Sequence, residues 1–200
     1  MAGRQAKILS PAMLRRSLSV TRRSSRPDRD TVIVLLSVRA GLRACEIAGL
    51  DWTMVLDGQG QVGTVIEITD GIAKYGSGRR IPIHPDLRTA LKRLKATSHP
   101  EGPVIRSHRG GRLNPNSIVN WFVGLFQAVG AAGCSSHSGR RTFITMAARG
   151  AHRAGASLRD VQLLAGHASI ETTQRYIDGD TDAQRRLVRS LNRKGRPNAH

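Results

Sequence analysis

The stretch "DTVIVLLSVRAGLRACEIAGL", Asp30 to Leu50, decides the fold class. Its first half is an almost continuous apolar run that ends at Ala40, as in a helix buried in a core. Gly41 interrupts this run, and the residues from Arg43 onward predict a second, short helix. Two helices joined by a glycine turn favour a helical domain and place Arg43 at a helix start.

One β-hairpin is predicted beyond these helices. The runs "QVGTVIEITD" and "RRIPIH" are rich in β-branched residues, and the glycines of "GIAKYGSG" predict a turn between them, so Lys74 is expected on or beside the hairpin loop. Further helices are predicted in "HPDLRTALKRLK", "NPNSIVNWFVGLFQAVG", "SSHSGRRTFITMAARG", "SLRDVQLLAGH", "SIETTQRYI" and "TDAQRRLVRSLNRK". The predicted fold is mainly α with a small antiparallel β-hairpin, an α+β class.

Capping residues mark the starts of several predicted helices. A proline at the first helical position follows a capping side chain in "SPAML" and in "NPNSI". Ser157 and Asp160 have the spacing of a capping box, and Ser169 is positioned to cap the helix that leads to Tyr176. Gly166 is expected to end the preceding helix in the left-handed conformation.

Three regions divide the chain. Residues 1–29 form a basic arm in which Ser10 and Pro11 predict one short helix. Residues 30–180 form the folded domain. Residues 181–200 form a basic tail in which Leu187, Val188 and Leu191 have the spacing of an amphipathic helix.

The charge of the chain indicates a polyanionic partner. Lysine and arginine total 32 against 14 acidic residues, a formal net charge of +18. Nucleic acid is the first candidate partner, and a membrane surface is the alternative polyanion. No apolar run approaches the ~20 residues of a membrane-spanning helix, and the start does not resemble a signal peptide. A soluble, cytoplasmic protein without a membrane partner is therefore expected.

The cysteines and histidines show no metal-binding spacing. Cys45 and Cys134 are the two cysteines, and buried thiols are the simplest interpretation of both. The seven histidines form no pair of the H-E-x-x-H type. The chemistry is therefore expected to proceed without a metal or another cofactor.

Arginine, histidine and tyrosine are the side chains that suit phosphoryl transfer here. A guanidinium binds two non-bridging oxygens at once, and Arg43, Arg140 and Arg141 lie near predicted helix starts. His137 lies three residues before Arg140, so the two share a helix face. Tyr176 is one of two tyrosines, and it would act as a nucleophile only where cations or a base favour its phenolate. Taken singly, each is more often a surface arginine, a structural histidine or a buried tyrosine.

Four motifs in a fixed order resemble the catalytic domain of the tyrosine recombinases, the phage-integrase family. "AGLRACEIAGLDW" resembles the first arginine motif, "AKYGSGRRIPI" the lysine hairpin, "SSHSGRRTFIT" the H-x-L-R-[RH]-T-F motif, and "LLAGHASIETTQRYI" the L-G-H-x-x-x-x-T-T-x-x-Y ending. Any one of these motifs alone is weak, but four in the correct order over residues 30–178 are specific.

The resemblance implies a role for each matching residue. Tyr176 would be the nucleophile, and Arg43, Arg140 and His167 would hold the phosphate. Lys74 would protonate the leaving oxygen, His137 would serve as base or proton relay, and Glu46 would support Arg43. The arginines expected to contact DNA are Arg79, Arg80, Arg141 and Arg153.

The resemblance also implies an activity and its partners. The expected reaction is site-specific cleavage and rejoining of double-stranded DNA through a 3′-phosphotyrosyl intermediate, as in the integrases of phages and mobile elements. One nucleophile per chain implies a homotetramer on synapsed DNA, with an accessory or directionality protein as a further candidate partner. The tail at 181–200 would dock on a neighbouring protomer; contact with DNA and a frayed end are the alternatives.

Four departures from the family pattern set further expectations. Gly139 replaces a leucine, which predicts a less firmly packed helix start and costs about 1 kcal/mol of helix propensity. Ser138 stands where an acidic residue is common. The segment "RGAHRAGASL" suggests a widened loop that presents His152 and Arg153. Because only about thirty residues precede the motifs, a short form without the usual N-terminal core-binding domain is expected.

Two other functions share these features. A DNA-binding regulator or accessory protein with the same fold would bind without efficient cleavage, so replacing Tyr176 with phenylalanine would leave its function intact. A type IB topoisomerase would share the chemistry but relax supercoils as a monomer. The recombinase motifs favour strand exchange over both.

Overall fold

The computed structural model describes residues 6–73 and 76–176, together with 185, 188 and 189. Within these residues the chain forms eight α-helices and one antiparallel pair of strands, which confirms the predicted fold class. In chain order the elements are α1 (Pro11–Thr21), α2 (Pro27–Arg39), α3 (Ala44–Gly49), β1 (Val65–Ile68), β2 (Arg79–Pro82), α4 (Pro85–Ala96), α5 (Pro115–Ala128), α6 (Ser138–Ala151), α7 (Leu158–Ala165) and α8 (Ile170–Gln174).

Helix α2 forms the centre of the core, which explains its continuous apolar sequence. Residues 32–36 are all buried, and α1, α3, α4 and α6 all pack against this helix. A helix that is apolar on every side is stable only when neighbours cover every side. The end of α2 at Arg39 and the left-handed Gly41 (φ 66°) then deliver Arg43 to the start of α3, as the sequence predicts.

The capping predictions are confirmed with one exception. The side chains of Ser10 and Asn114 accept hydrogen bonds from backbone N–H groups of the first turns of α1 and α5. Ser157 and Asp160 form the capping box of α7, and Gly166 follows it with φ 62°. Ser169 precedes α8 but makes no capping bond to its backbone; its hydroxyl pairs with the Thr172 hydroxyl instead, at 3.2 Å.

The N-terminal region belongs to the helical core. The boundary predicted between residues 29 and 30 falls inside α2, which already begins at Pro27. Helix α1 packs on α2 and α5, and the buried Leu9 donates its backbone N–H to the Thr142 hydroxyl in α6 at 2.8 Å. Its apolar side chains therefore contribute to the same core as the rest of the domain.

The predicted β-hairpin is confirmed, and the structure adds its register. Strands β1 and β2 pair antiparallel from Val65 opposite Pro82 to Ile68 opposite Arg79, and Ile66 and Ile81 are buried beneath them. Lys74 lies in the connection between the strands but outside the described residues. The amphipathic helix predicted in the tail at 181–200 likewise falls outside them, apart from three positions.

Gly139 fits a close helix contact, and the expectation of loose packing is wrong. A Cβ atom at Gly139 would lie 2.8 Å from the Ser37 Cβ and 3.0 Å from a Val38 methyl carbon, so the buried start of α6 leaves no room for a larger residue. The predicted widened loop after α6 is also absent, because the helix runs on to Ala151 and a 3₁₀ turn at His152–Ala154 follows.

Candidate active site

Five of the predicted catalytic residues lie around one cavity of about 630 Å³ where the ends of several helices meet. Arg43 comes from the start of α3, Arg140 from α6, His167 from the turn after α7 and Tyr176 from just beyond α8. His137, at the start of α6, is exposed and lines the same cavity. The structure thus brings together side chains that are up to 133 residues apart in the chain. The other lining residues are Ala6, Ala44, Cys45, Pro115, Arg141, Thr172 and Arg175.

Arg43 is oriented by the carboxylate of Glu46. Its Nη1 donates to Glu46 Oε1 at 2.8 Å, and its backbone N–H donates to Glu46 Oε2 at 2.8 Å. Its Nη2 makes a long contact of 3.4 Å with the Gly166 carbonyl. Because the side chain is still 18% exposed, part of the guanidinium faces the cavity with donor capacity to spare.

Arg79 is buried in this network and is not a surface DNA contact, which corrects its predicted role. Its side chain is 5% exposed, and its two terminal nitrogens donate to the two Glu46 oxygens at 2.8 and 3.0 Å. Its Nε donates to the Leu164 carbonyl at 2.9 Å. Arg79 lies in the predicted hairpin, but its side chain points into the domain.

Glu46 remains a carboxylate although it is fully buried. Burial alone would raise its pKa, but the hydrogen bonds and positive charges of Arg79 and Arg43 outweigh burial and lower the pKa below its usual value. Two guanidinium groups therefore share one buried negative charge. This arrangement gives the site a net positive charge near Glu46.

Arg140 is held in a different way, by backbone carbonyls. Its Nη1 donates to the Gly41 carbonyl and its Nη2 to the Ala165 carbonyl, both at 2.6 Å, and the residue is 4% exposed. Burial and the charge of Arg43 lower its pKa to about 10, so it stays charged at neutral pH. Neutral acceptors hold its geometry but leave its charge available to an anion.

His167 lies between the arginines and the tyrosine. Its ring stacks on Tyr176 with 5.4 Å between ring centroids and 20° between planes. Burial, followed by the charges of Arg140, Arg43 and Arg79, lowers its pKa to about 4, so the imidazole is neutral at pH 7 in the free chain. Its Nδ1 is 2.9 Å from the hydroxyl of the buried Thr173, which leaves Nε2 for another partner.

The remaining predicted residues are dispersed. Arg141 lines the cavity, and its Nη1 donates to the Ala6 carbonyl at 2.9 Å. Arg80 is 74% exposed and pairs with Glu67 on β1, and Arg153 is exposed in the turn after α6. These three positions are compatible with DNA contact, and Lys74 lies outside the described residues.

Sequence reasoning did not single out Thr173. The residue is fully buried, and its hydroxyl lies 2.9 Å from Nδ1 of the His167 ring. The signal was present, since Thr173 lies three residues before Tyr176 in a quoted motif, but a threonine in a helix has no distinctive chemistry of its own. The pairing of Arg79 with Glu46 was also missed. Which side chain of β2 points inward is evident only when the neighbouring elements are known.

No cluster of three or more histidine, cysteine, aspartate or glutamate side chains suitable for a metal ion occurs in the described residues. Among the helices that the structure describes, none combines the length and the apolarity needed to span a membrane.

Comparison with known proteins gives this arrangement a family. The model of the phage integrase family matches residues 7–182, and the chain belongs to that family. The tyrosine recombinase XerC of Mesorhizobium japonicum is 31% identical over 159 residues, which cover 76% of this chain and 47% of the relative. XerC of Rhodospirillum centenum is 29% identical over 177 residues, 86% of this chain and 49% of the relative. The chain therefore spans about half the length of these curated relatives.

Solved structures agree on the fold. The XerA recombinase superposes with a TM-score of 0.72 at 22% identity, covering 100% of this chain and 66% of that one. The XerH site-specific recombinase, in a post-cleavage complex with a difH substrate, superposes with a TM-score of 0.71 at 17% identity, covering 94% of this chain and 53% of that one. The observed fold is that of the tyrosine recombinase catalytic domain, as the motifs predicted.

Proposed function

We propose that the chain is the catalytic part of a site-specific DNA recombinase that cleaves and rejoins strands through Tyr176. The observation that carries this proposal is the convergence of Arg43, Arg140, His167 and Tyr176 on one cavity that is open to solvent. Three donors to an oxyanion beside a phenol match the needs of phosphoryl transfer. The family membership and the net charge of +18 support double-stranded DNA as the substrate.

The two arginines would bind the non-bridging oxygens of the scissile phosphate. Arg43 has free donor capacity toward the cavity, and Arg140 carries a charge that no carboxylate in the described part of the chain contacts directly. As the phosphorus becomes pentacoordinate, negative charge grows on these oxygens, so fixed cations stabilise the transition state more than the ground state. Because both guanidiniums are already held by protein acceptors, little reorganisation is needed when the phosphate binds.

His167 would donate a hydrogen bond to the phosphate as a neutral imidazole. A neutral ring has one N–H, and donation from Nε2 requires that Nδ1 accept. The Thr173 hydroxyl at 2.9 Å can supply that donor and so fix the Nε2–H tautomer. Thr173 thus acts through His167 and does not need to touch DNA.

In the chemical step the Tyr176 hydroxyl oxygen would attack phosphorus. A bond forms from this oxygen to phosphorus, the bond from phosphorus to the 5′-oxygen breaks, and the tyrosine proton passes to a base, for which exposed His137 is the candidate in the cavity. Lys74 would return a proton to the 5′-oxygen, so the products are a 3′-phosphotyrosine and a 5′-hydroxyl. The reverse reaction with another 5′-hydroxyl rejoins strands, and exchange between two duplexes would use four protomers.

A trapped adduct tests the proposal. Duplex fragments from either side of the protein's own coding sequence, nicked near the cleavage position so that the released oligonucleotide diffuses away, would accumulate a covalent complex. We expect a denaturant-resistant adduct with the wild type and none with Tyr176→Phe, while both bind DNA with equal affinity. Tight binding by the wild type without an adduct on any fragment would instead favour a regulator. Relaxation of supercoiled plasmid without site preference would favour a topoisomerase.

A further inference from the structure

The buried arginine of β2 lies behind the phosphate-binding face of the cavity. Arg79 does not line the cavity, yet it contacts elements that do. Its two terminal nitrogens bind both oxygens of Glu46 in α3, and its Nε binds the Leu164 carbonyl near the end of α7. A Cβ atom at Gly166 would lie 3.0 Å from its Cδ, so it packs directly under the turn that carries His167.

Glu46 is the point at which Arg79 influences Arg43. The carboxylate is fully buried, and it accepts two hydrogen bonds from the Arg79 side chain and one from the Arg43 side chain. An arginine fork binds a carboxylate best through two parallel hydrogen bonds. If Arg79 were absent, Glu46 could take both terminal nitrogens of Arg43, and the donor now directed toward the cavity would turn to the protein.

We propose that Arg79 is a positioning residue for phosphoryl transfer: it neutralises Glu46 and thereby keeps Arg43 aimed at the phosphate. This inference rests on the proposed function of the cavity. It differs from a general role in stability, because it assigns the effect of Arg79 to one other side chain. This role needs no direct contact with DNA: the side chain is 5% exposed, and its three nitrogens already donate to Glu46 and to the Leu164 carbonyl.

Kinetics in two backgrounds test this assignment. Adduct formation on the nicked substrate is measured under single-turnover conditions with saturating enzyme. The temperature is one at which circular dichroism shows that each variant is folded. We expect Arg79→Met to slow cleavage at least tenfold while the DNA dissociation constant at fixed salt stays within about twofold. Arg79→Lys, which keeps the charge but loses the fork, should recover only part of the rate. In an Arg43→Gln background, Arg79→Met should add less than a twofold further loss.

Arg88→Met is the matched control. Arg88 is half-buried, and its side chain donates hydrogen bonds to the backbone carbonyls of Val62 and Gly63. Like Arg79, it does not line the cavity. Its loss should lower the melting temperature without changing the cleavage rate. Cleavage by Arg79→Met at the wild-type rate would overturn the proposal, as would an equal loss with and without Arg43.

A structural readout separates failure of this inference from failure of the proposed function. If the wild type forms no adduct, ¹⁵N NMR of the Arg43 guanidinium in wild type and in Arg79→Lys still reports on its hydrogen bonds. We expect its Nη resonances to shift in Arg79→Lys and not in Arg88→Lys. Unchanged Arg43 resonances in a folded Arg79→Lys variant would refute positioning through Glu46 whatever the chain does to DNA. If Arg79→Met does not fold, the Arg79→Lys spectra and rates decide the question.

Discussion

The starts of α3 and α6 present the same group to the same cavity by opposite means. At α3, Arg43 pairs with the buried Glu46, whose charge Arg79 shares. At α6, Arg140 is held by the carbonyls of Gly41 and Ala165, and no carboxylate among the residues that the structure describes contacts it. A carboxylate gives strong orientation but consumes charge, whereas carbonyls give orientation and leave the charge for a ligand. Under the proposed function, Arg140 is therefore the cation whose counter-ion would be the phosphate.

The largest expected effect follows from replacing Arg140. Arg140→Gln should slow adduct formation by on the order of 10³-fold, the upper range for losing one preorganised donor to an oxyanion. Arg140→Lys should recover little, because an ammonium cannot bridge the Gly41 and Ala165 carbonyls and a phosphate together. Single-turnover cleavage with Arg88→Gln as control measures both; a rate for Arg140→Lys within tenfold of wild type would show that the fork is not required.

At α3 the largest effect should fall on stability. Glu46→Gln leaves two buried guanidiniums without their shared counter-charge, so the free energy of unfolding should drop by about 3 kcal/mol. Urea denaturation measures the change, with Arg80→Gln, an exposed arginine, as a variant that should stay within about 0.5 kcal/mol of wild type. If Glu46→Gln were as stable as wild type, the two helix starts would not differ in the way described.

Gly139 offers a test of the packing at α6. Gly139→Ala would place a methyl group against Ser37 and Val38, where no space exists, and should destabilise the fold by about 1–3 kcal/mol in spite of the better helix propensity of alanine. Gly150→Ala is the matched control, because nothing lies within 4 Å of a Cβ atom at Gly150 later in the same helix. If Gly139→Ala lowered the stability in thermal unfolding no more than Gly150→Ala, the close contact of α6 with α2 would be contradicted.

Thr173 tests the role of His167, the third proposed donor to the phosphate after Arg43 and Arg140. Thr173→Val keeps the shape of the side chain but removes the hydroxyl that fixes the His167 tautomer, so cleavage should slow by about tenfold. Thr173→Ser should restore most of the rate, because it returns the donor. A valine variant that cleaves like wild type would show that the tautomer is set elsewhere.

The smallest expected effect is a dependence of stability on pH. The folded-state pKa of His167, about 4, lies below the ordinary value of 6.5, so protonation favours the unfolded chain. The contribution of neutral His167 to the free energy of unfolding is therefore fully present above pH 6.5 and is lost as the pH falls toward 4. Protonation of Glu46, whose pKa is lowered, also destabilises the fold in acid, so wild type is compared with His167→Asn. The stability of the asparagine variant should decline less steeply between pH 6.5 and 4. Parallel declines would contradict the assignment.

The sequence predicted the elements better than the partnerships between them. The apolar run before Gly41, the capping pairs and the turn glycines act over a few residues, so helix starts and the hairpin were predictable from local rules. The motifs likewise named the residues that meet in the cavity. Two features depend on long-range packing that no local pattern encodes. One is which arginine of β2 points inward, and the other is the contact between Gly139 and Ser37, which are more than 100 residues apart. Both were points at which prediction was wrong, as were the cap at Ser169 and the widened loop after α6.

The most direct test of the account is to identify the residue that becomes linked to DNA. The denaturant-resistant complex is digested with nuclease and protease, and tandem mass spectrometry locates the residue that carries the nucleotide. The account predicts a 3′-phosphoryl nucleotide on Tyr176, in a peptide absent from Tyr176→Phe. A nucleotide on any other residue, or an adduct that survives in Tyr176→Phe, would contradict it.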